Sequence, residues 1–268
     1  EQALHLDLPP NRLNQAINTL DQALASRENR KVTLNIVNQL FGQAGYPFRQ
    51  SFLAKASRFF GAPLASIDFT RNPRNVAKVI NTWIEDQTNG RIKDVLNPAQ
   101  ISAATRLMLI NATYLKAEWG QKFQRVFTSP QTFHRPDGST VKVPTMSQSA
   151  RFPAVFTNEY TALELPYVGG ELAMLIVMPD DPDAFLKGLD AETLGRIVDG
   201  LKSDFKVQGV PFPYIDVLMP RFEARTKVAL KPLLQKMGMK DVWLPDVADL
   251  TGIADPTETG EAPLAASS

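Results

Sequence analysis

The sequence contains no cysteine. That absence removes disulfides, thiolate nucleophiles and cysteine-bound metal together, while leaving the compartment open. Histidine is scarce as well: only His5 and His134 occur, far apart and in no metal-binding spacing, so both are expected at the surface and neither metal nor cofactor is expected. An excess of either charge is also missing. Lys and Arg number 29 against 28 Asp and Glu, and a net charge of +1 supplies no field to steer the chain to nucleic acid or anionic lipid, so neither partner is expected. Long apolar runs are lacking: the stretch from Leu172 to Met178 falls far short of the roughly 20 residues that span a bilayer. The opening EQALHLDLPP has neither the basic start nor the continuous apolar middle of a signal peptide.

Catalytic signatures are missing too. No G-x-S-x-G elbow, Walker loop, G-x-G-x-x-G or EF-hand loop occurs. The carboxylate pairs Glu85/Asp86 and Asp180/Asp181 fall on a helix face and in a turn, where solvated acids are common. The chain is therefore not expected to be an enzyme. What is present is ordinary globular composition, 268 residues with 44% apolar and 21% charged, enough to bury a sizeable core.

Leu13, Ile17, Leu20 and Leu24 recur at helical spacing and predict a helix over 12–26 with Asn11 as its cap. Val32, Leu34 and Ile36 alternate with polar residues, the period of a strand with one buried face. A second helix is expected over 48–60, ending at Gly61, and a third follows Asn72-Pro73 with Gly90 as its stop. Residues 105–117 (TRLMLINATYLKA) are nearly continuously apolar and predict a central strand buried on both faces. Asp137-Gly138 and Gly169-Gly170 mark two hairpin turns. Helices over 183–189 and 191–202, a strand over 214–226 and a helix over 227–237 closed by Gly238 complete an α+β pattern, with no long linker to divide it. One domain spanning 1–268 is expected.

Within the strand expected to be central, Asn111 opens the sequon Asn111-Ala112-Thr113, but glycan acceptors need exposed loops, so glycosylation is disfavoured. An amide on a buried strand must instead find partners or cost about 1–3 kcal/mol, which suggests a polar relay beneath the sheet.

The run INATYLKAEWGQKF at 110–123 resembles the signature of the serpin family, an Asn-Ala-x-Tyr strand leading to Trp and Phe. Further serpin-like motifs follow in order: NQLFGQAGYPF at 38–48, WIEDQTNGRIKDVL at 83–96, VPTM at 143–146, ALELPY at 162–167, LIVMPDD at 175–181, VLMPRFE at 217–223 and LLQKMGMKDVWLPDVADLTGI at 233–253. The likeness, to a bacterial-like serpin, implies a large mixed central sheet with smaller antiparallel sheets, surrounded by helices. It also implies a partial domain, because the family's first helices and its hinge, reactive loop and last strands have no counterpart here. Such a fragment is expected to be poorly soluble or to associate with a complementary piece.

The function implied is inhibition of a target serine or cysteine protease, with the complete protein a monomer. The protease cleaves an exposed loop, which then inserts into the main sheet as an extra strand and releases stored strain. A non-inhibitory carrier or chaperone-like serpin is the alternative. Residue by residue, the resemblance places Trp119, Thr128, Tyr167 and Arg221 at the breach where insertion starts, Asn111 at the shutter between central strands, and Phe123 and Phe133 in the supporting core. For the aromatics, plain core packing is the competing reading. An extracellular or periplasmic setting is expected only because proteases to be inhibited are commonly found there.

Overall fold

The computed structural model describes residues 6–202, 206–207, 210–211, 214–224, 228 and 230–267. Their contacts gather into two compact units, residues 1–28, 33–115 and 226–268 in one and 29–32 and 116–225 in the other.

In the first unit, α1 (Pro10–Ala25) begins two residues before the predicted start. Proline supplies the pre-set φ of a first helical position, so Pro9-Pro10 opens the helix and Asn11 falls inside its first turn rather than capping it. The strand β1 (Val32–Gln43) runs past the predicted alternation, because Leu40, Phe41 and Gly42 are all buried and the period is hidden there. Gly42 has no room for a side chain: a Cβ would lie 2.6 Å from Leu64 and 2.7 Å from Phe48. After α2 (Gln50–Phe60), Gly61 adopts the left-handed C-cap at φ 55° that a side chain would disfavour. The helix crosses to β2 (Leu64–Ile67), which pairs parallel with β1 from Leu40↔Leu64 to Gln43↔Ile67.

The N-cap expected at Asn72 is present, its side chain accepting from the Arg74 backbone N–H at 3.0 Å to start α3 (Pro73–Gln87). Val76, Ala77, Ile80 and Ile84 form the buried stripe of that helix, packing with Phe41 and the fully buried Phe69. β3 (Leu107–Ala117) lies beside β1 in a sheet of order β2-β1-β3.

The expectation of a central, doubly buried strand is corrected here. Among the described residues β3 is an edge strand, Ala112 alone in it is buried, and Leu109 is 64% exposed. Its apolar sequence encodes burial on two faces, but among the described residues it is paired along one edge only and most of its side chains are half-buried or exposed.

In the second unit, β4 (Ser129–His134) and β5 (Thr140–Arg151) form the hairpin expected at Asp137-Gly138, with Gly138 at φ 81°. β6 (Ala154–Phe156), β7 (Tyr160–Pro166) and β8 (Ala173–Pro179) make an antiparallel sheet whose second turn uses Gly169 and Gly170, both at positive φ. Two helices follow, α4 (Pro182–Gly188) and α5 (Ala191–Lys202). Ile197 and Leu201 of α5 cover Ala162 of β7, and Gly200 approaches β6 so closely that a Cβ would sit 2.9 Å from Val155. A short ribbon, β9 (Lys206–Val207) with β10 (Val210–Pro211), precedes β11 (Tyr214–Pro220), which pairs antiparallel with β5.

The strand predicted to reach 226 stops at Pro220: residues 221–224 are not strand, and 225–226 lie outside the described residues. Back in the first unit, the helix predicted over 227–237 is α6 (Leu230–Lys236), with 227 and 229 outside the described residues. Gly238 follows at φ 102°. α7 (Pro256–Thr259) lies in a final segment held by Arg49, which donates to Thr251 O at 2.7 Å and to Asp255 at 2.6 Å, and by Arg106, bidentate on Glu261 at 2.6 and 3.0 Å. His5 lies outside the described residues, and His134 is exposed as expected.

Candidate functional site

The site implied by the resemblance falls in both units. In the second, the chain leaving β3 makes a single antiparallel bridge between Trp119 and Tyr167. Two backbone bonds fix the contact, Gly120 N–H to Pro166 O at 2.8 Å and Val168 N–H to Glu118 O at 2.9 Å, while Tyr167 N–H to Leu172 O at 2.9 Å closes the adjoining turn. The Trp119 and Tyr167 rings stack 4.9 Å apart with their planes 23° from parallel, and Phe123 meets Trp119 edge-on at 6.0 Å. Offset stacks and edge contacts of this kind suit the ring quadrupoles and contribute about 0.5–1.5 kcal/mol each beyond burial.

Beneath these rings lie Phe152, Leu165, Val217 and Met219, contributed by β7, β11 and the turn after β5. Burial pushes the Tyr167 hydroxyl above its ordinary pKa. Lys122, bonded to Glu118 at 2.9 Å, holds that carboxyl below the usual range.

Thr128 and Arg221 both lie near the middle of β5, beside the row in which β4 begins and β11 ends. Ser129 and Pro220 both pair with the buried Thr145 of β5, so Thr128 and Arg221 each stand one residue outside that row on opposite sides of β5. The Arg221 backbone N–H donates to Pro144 O at 2.8 Å. Its side chain is exposed and makes no ion pair among the described residues. Phe133, expected in the supporting core, is corrected: it is 45% exposed on β4, an outer strand exposed along its whole length. A strand paired on one side and covered on neither face has nowhere to bury a ring. Phe123 does join the cluster under Trp119.

In the first unit, Asn111 is exposed on β3, and its amide donates to Asn38 Oδ1 on β1 at 2.8 Å. Asn38 in turn donates to Phe60 O at the end of α2 at 2.9 Å. An amide relay thus runs from strand to strand to helix, but Asn111 is exposed and not on a buried strand as expected, so the relay does not lie beneath the sheet. Asn38 carries no signal of its own in the sequence, because β1 also holds Asn35, Gln39 and Gln43. Gly120 is likewise unmarked: a Cβ there would lie 3.0 Å from Pro166 O, and glycine before a polar run carries no pattern of its own.

Among the described residues no cluster of His, Cys, Asp and Glu could hold a metal ion, and no helix is long and apolar enough to cross a membrane.

Comparison with known proteins gives one family, two relatives and two solved structures. Residues 1–266 match the family described as Serpin (serine protease inhibitor). The chain is 36% identical over 236 residues to a serpin-like protein of Thermococcus kodakarensis, covering 87% of this chain and 52% of that protein. It is 33% identical over 225 residues to the leukocyte elastase inhibitor of Equus caballus, covering 82% of this chain and 59% of that protein. Among solved structures, cleaved Serpin 42Da superposes with a TM-score of 0.78 at 30% identity, over 94% of this chain and 66% of that one. Ovalbumin of Dromaius novaehollandiae gives 0.80 at 24% identity, over 90% and 61%. The α+β fold is thus shared with these structures, and the chain spans about half to two thirds of the length of the relatives it matches.

Proposed function

The chain belongs to the serpin family, and from that premise we propose that the protein to which it contributes inhibits a serine-type or cysteine-type protease by accepting its own cleaved loop as an added strand. The observation that carries the proposal is the edge of β3. It offers an unpaired strand margin among the described residues, and an Asn111–Asn38 amide contact joins β3 to β1 where a dry apolar lock would resist opening. Trp119, Tyr167 and Phe123 then act as a packed anchor for the chain just beyond β3 while the strand's margin changes partner. Thr128 precedes the start of β4 and Arg221 follows the end of β11, on opposite sides of β5, and there the unpaired guanidinium can take a carboxylate. The attacking residue belongs to the protease, so the inhibitor turns over nothing. The expectation of an extracellular or periplasmic setting finds no support in the fold or the relatives and is withdrawn.

Incubating the complete protein with elastase-like, chymotrypsin-like and papain-like proteases tests the reading. The expected result is a covalent complex that survives SDS, together with a cleaved form that melts far above the intact one. Cleavage as an ordinary substrate, with no complex and no gain in melting temperature, would sink the inhibitory reading and favour the non-inhibitory one.

A further inference from the structure

In the second unit, β4 pairs with β5 only over Thr140–Thr145, whereas β11 pairs with β5 over Thr145–Arg151. From Met146 onward β5 therefore has a hydrogen-bonded strand on one side only among the described residues, its other side being approached by the turn Arg125–Phe127. In an antiparallel strand alternate residues direct both N–H and C=O to opposite edges, so half of this stretch offers its backbone groups to the open side. Among the described residues no backbone hydrogen bond outside the β11 ladder reaches residues 147–150.

Alongside that edge runs the segment 121–127, which closes a short 3₁₀ turn at Arg125–Phe127 and leaves a groove of about 440 Å³ between itself and β5. One wall is Gln121, Gln124 and Phe127, and the other is Ser147, Gln148 and Ser149. The ring of Phe127 is 60% exposed. None of the three glutamines or two serines has a side-chain hydrogen bond among the described residues. Lys122, the groove's cation, is already paired with Glu118.

We propose that this groove binds an extended, uncharged peptide segment of a partner protein, added to β5 as a strand in line with β4. Each feature has a part in that recognition. The free backbone edge supplies main-chain pairing, the carboxamides and hydroxyls meet a ligand's peptide groups and polar side chains, and Phe127 covers one apolar side chain. Neutral lining with its one cation paired favours an uncharged ligand. The four residues 147–150 span about 13 Å of strand, enough for four ligand residues.

The probe is a fluorescein-labelled, terminally blocked hexapeptide of alternating Thr and Val, titrated with the protein and read by fluorescence polarisation. Saturable binding is expected, weakened about tenfold or more in the double variant Gln124→Ala/Phe127→Ala and when every internal amide of the peptide is N-methylated, because pairing then fails. Both substituted side chains are exposed, so the variant should keep the parent's circular dichroism and melting point. Absence of saturable binding at about 1 mM peptide, the millimolar range where specific recognition fades, overturns the proposal. Equal binding by parent and double variant also overturns it, by placing the peptide on another edge such as that of β3 or β11.

Discussion

Replacing Gly120 by alanine tests whether the Trp119–Tyr167 contact is as close as described. The added methyl would lie 3.0 Å from Pro166 O and 3.4 Å from Tyr167 O. Both are backbone oxygens, which cannot swing aside as a side-chain end could. The 118–120 segment must therefore part from 166–168, loosening the Gly120–Pro166 and Val168–Glu118 bonds and offsetting the stacked rings. Two net hydrogen bonds at about 0.5–1.5 kcal/mol each and a ring stack of similar size give an expected loss of about 1.5–4.5 kcal/mol. Gly195→Ala is the matched control. It lies inside α5, where an added methyl would meet nothing within 4 Å, so alanine there should stabilise by about 0.5–1 kcal/mol through helix propensity alone. Urea unfolding followed by circular dichroism and tryptophan fluorescence measures both. A Gly120→Ala protein within about 0.5 kcal/mol of the parent, the ordinary range for a surface change, would refute the reasoning.

Phe69→Ala removes a ring with no exposed surface from the core under α3, and a loss of about 3–5 kcal/mol is expected in the same assay. Along the amide relay, Asn38→Ala should cost more than Asn111→Ala, because Asn38 serves both Asn111 and Phe60 O while Asn111 is exposed. A double-mutant cycle between them should show coupling of about 0.5–1 kcal/mol, and additivity would remove the relay. The pH response follows from carboxyls held below their ordinary values, Glu261 by the Arg106 hydrogen bond and Asp255 by the hydrogen bond from Thr257 and by Arg49. A lowered folded pKa means the stabilisation is full above the unfolded value and is lost as pH falls through the folded one. Hydrogen-exchange protection over residues 248–266, taken relative to the intrinsic rate at each pH, should therefore fall as pH drops below the ordinary 4.5 of Glu and 3.8 of Asp. The turn at Asp68, whose carboxyl is lowered to about 2 by Thr70 and Gln43, should lose its stabilisation progressively between the ordinary 3.8 and about 2.

Much of the secondary structure is legible in the sequence because its signals are local. Asn72-Pro73 starts α3, Gly61 ends α2, and the glycines at the two hairpins adopt the positive φ their turns need. Ends shift where a stronger local rule competes, as where Pro10 opens α1 ahead of Asn11. The exposure of Phe133 is not legible, because a large ring says nothing of which strand will be outermost. Trp119, Phe123 and Tyr167 are marked by motif alone, yet only the register across one bridge brings Trp119 and Tyr167 to 4.9 Å.

By itself, the sequence determined most of the element types and the family, because period, capping and motif act over a few neighbouring residues. Tertiary structure alone decided which strand is an edge, which glycine meets a carbonyl, and that Asn111 finds its partner in Asn38. Those are contacts between residues tens of positions apart, and strand pairing, not local preference, selects them.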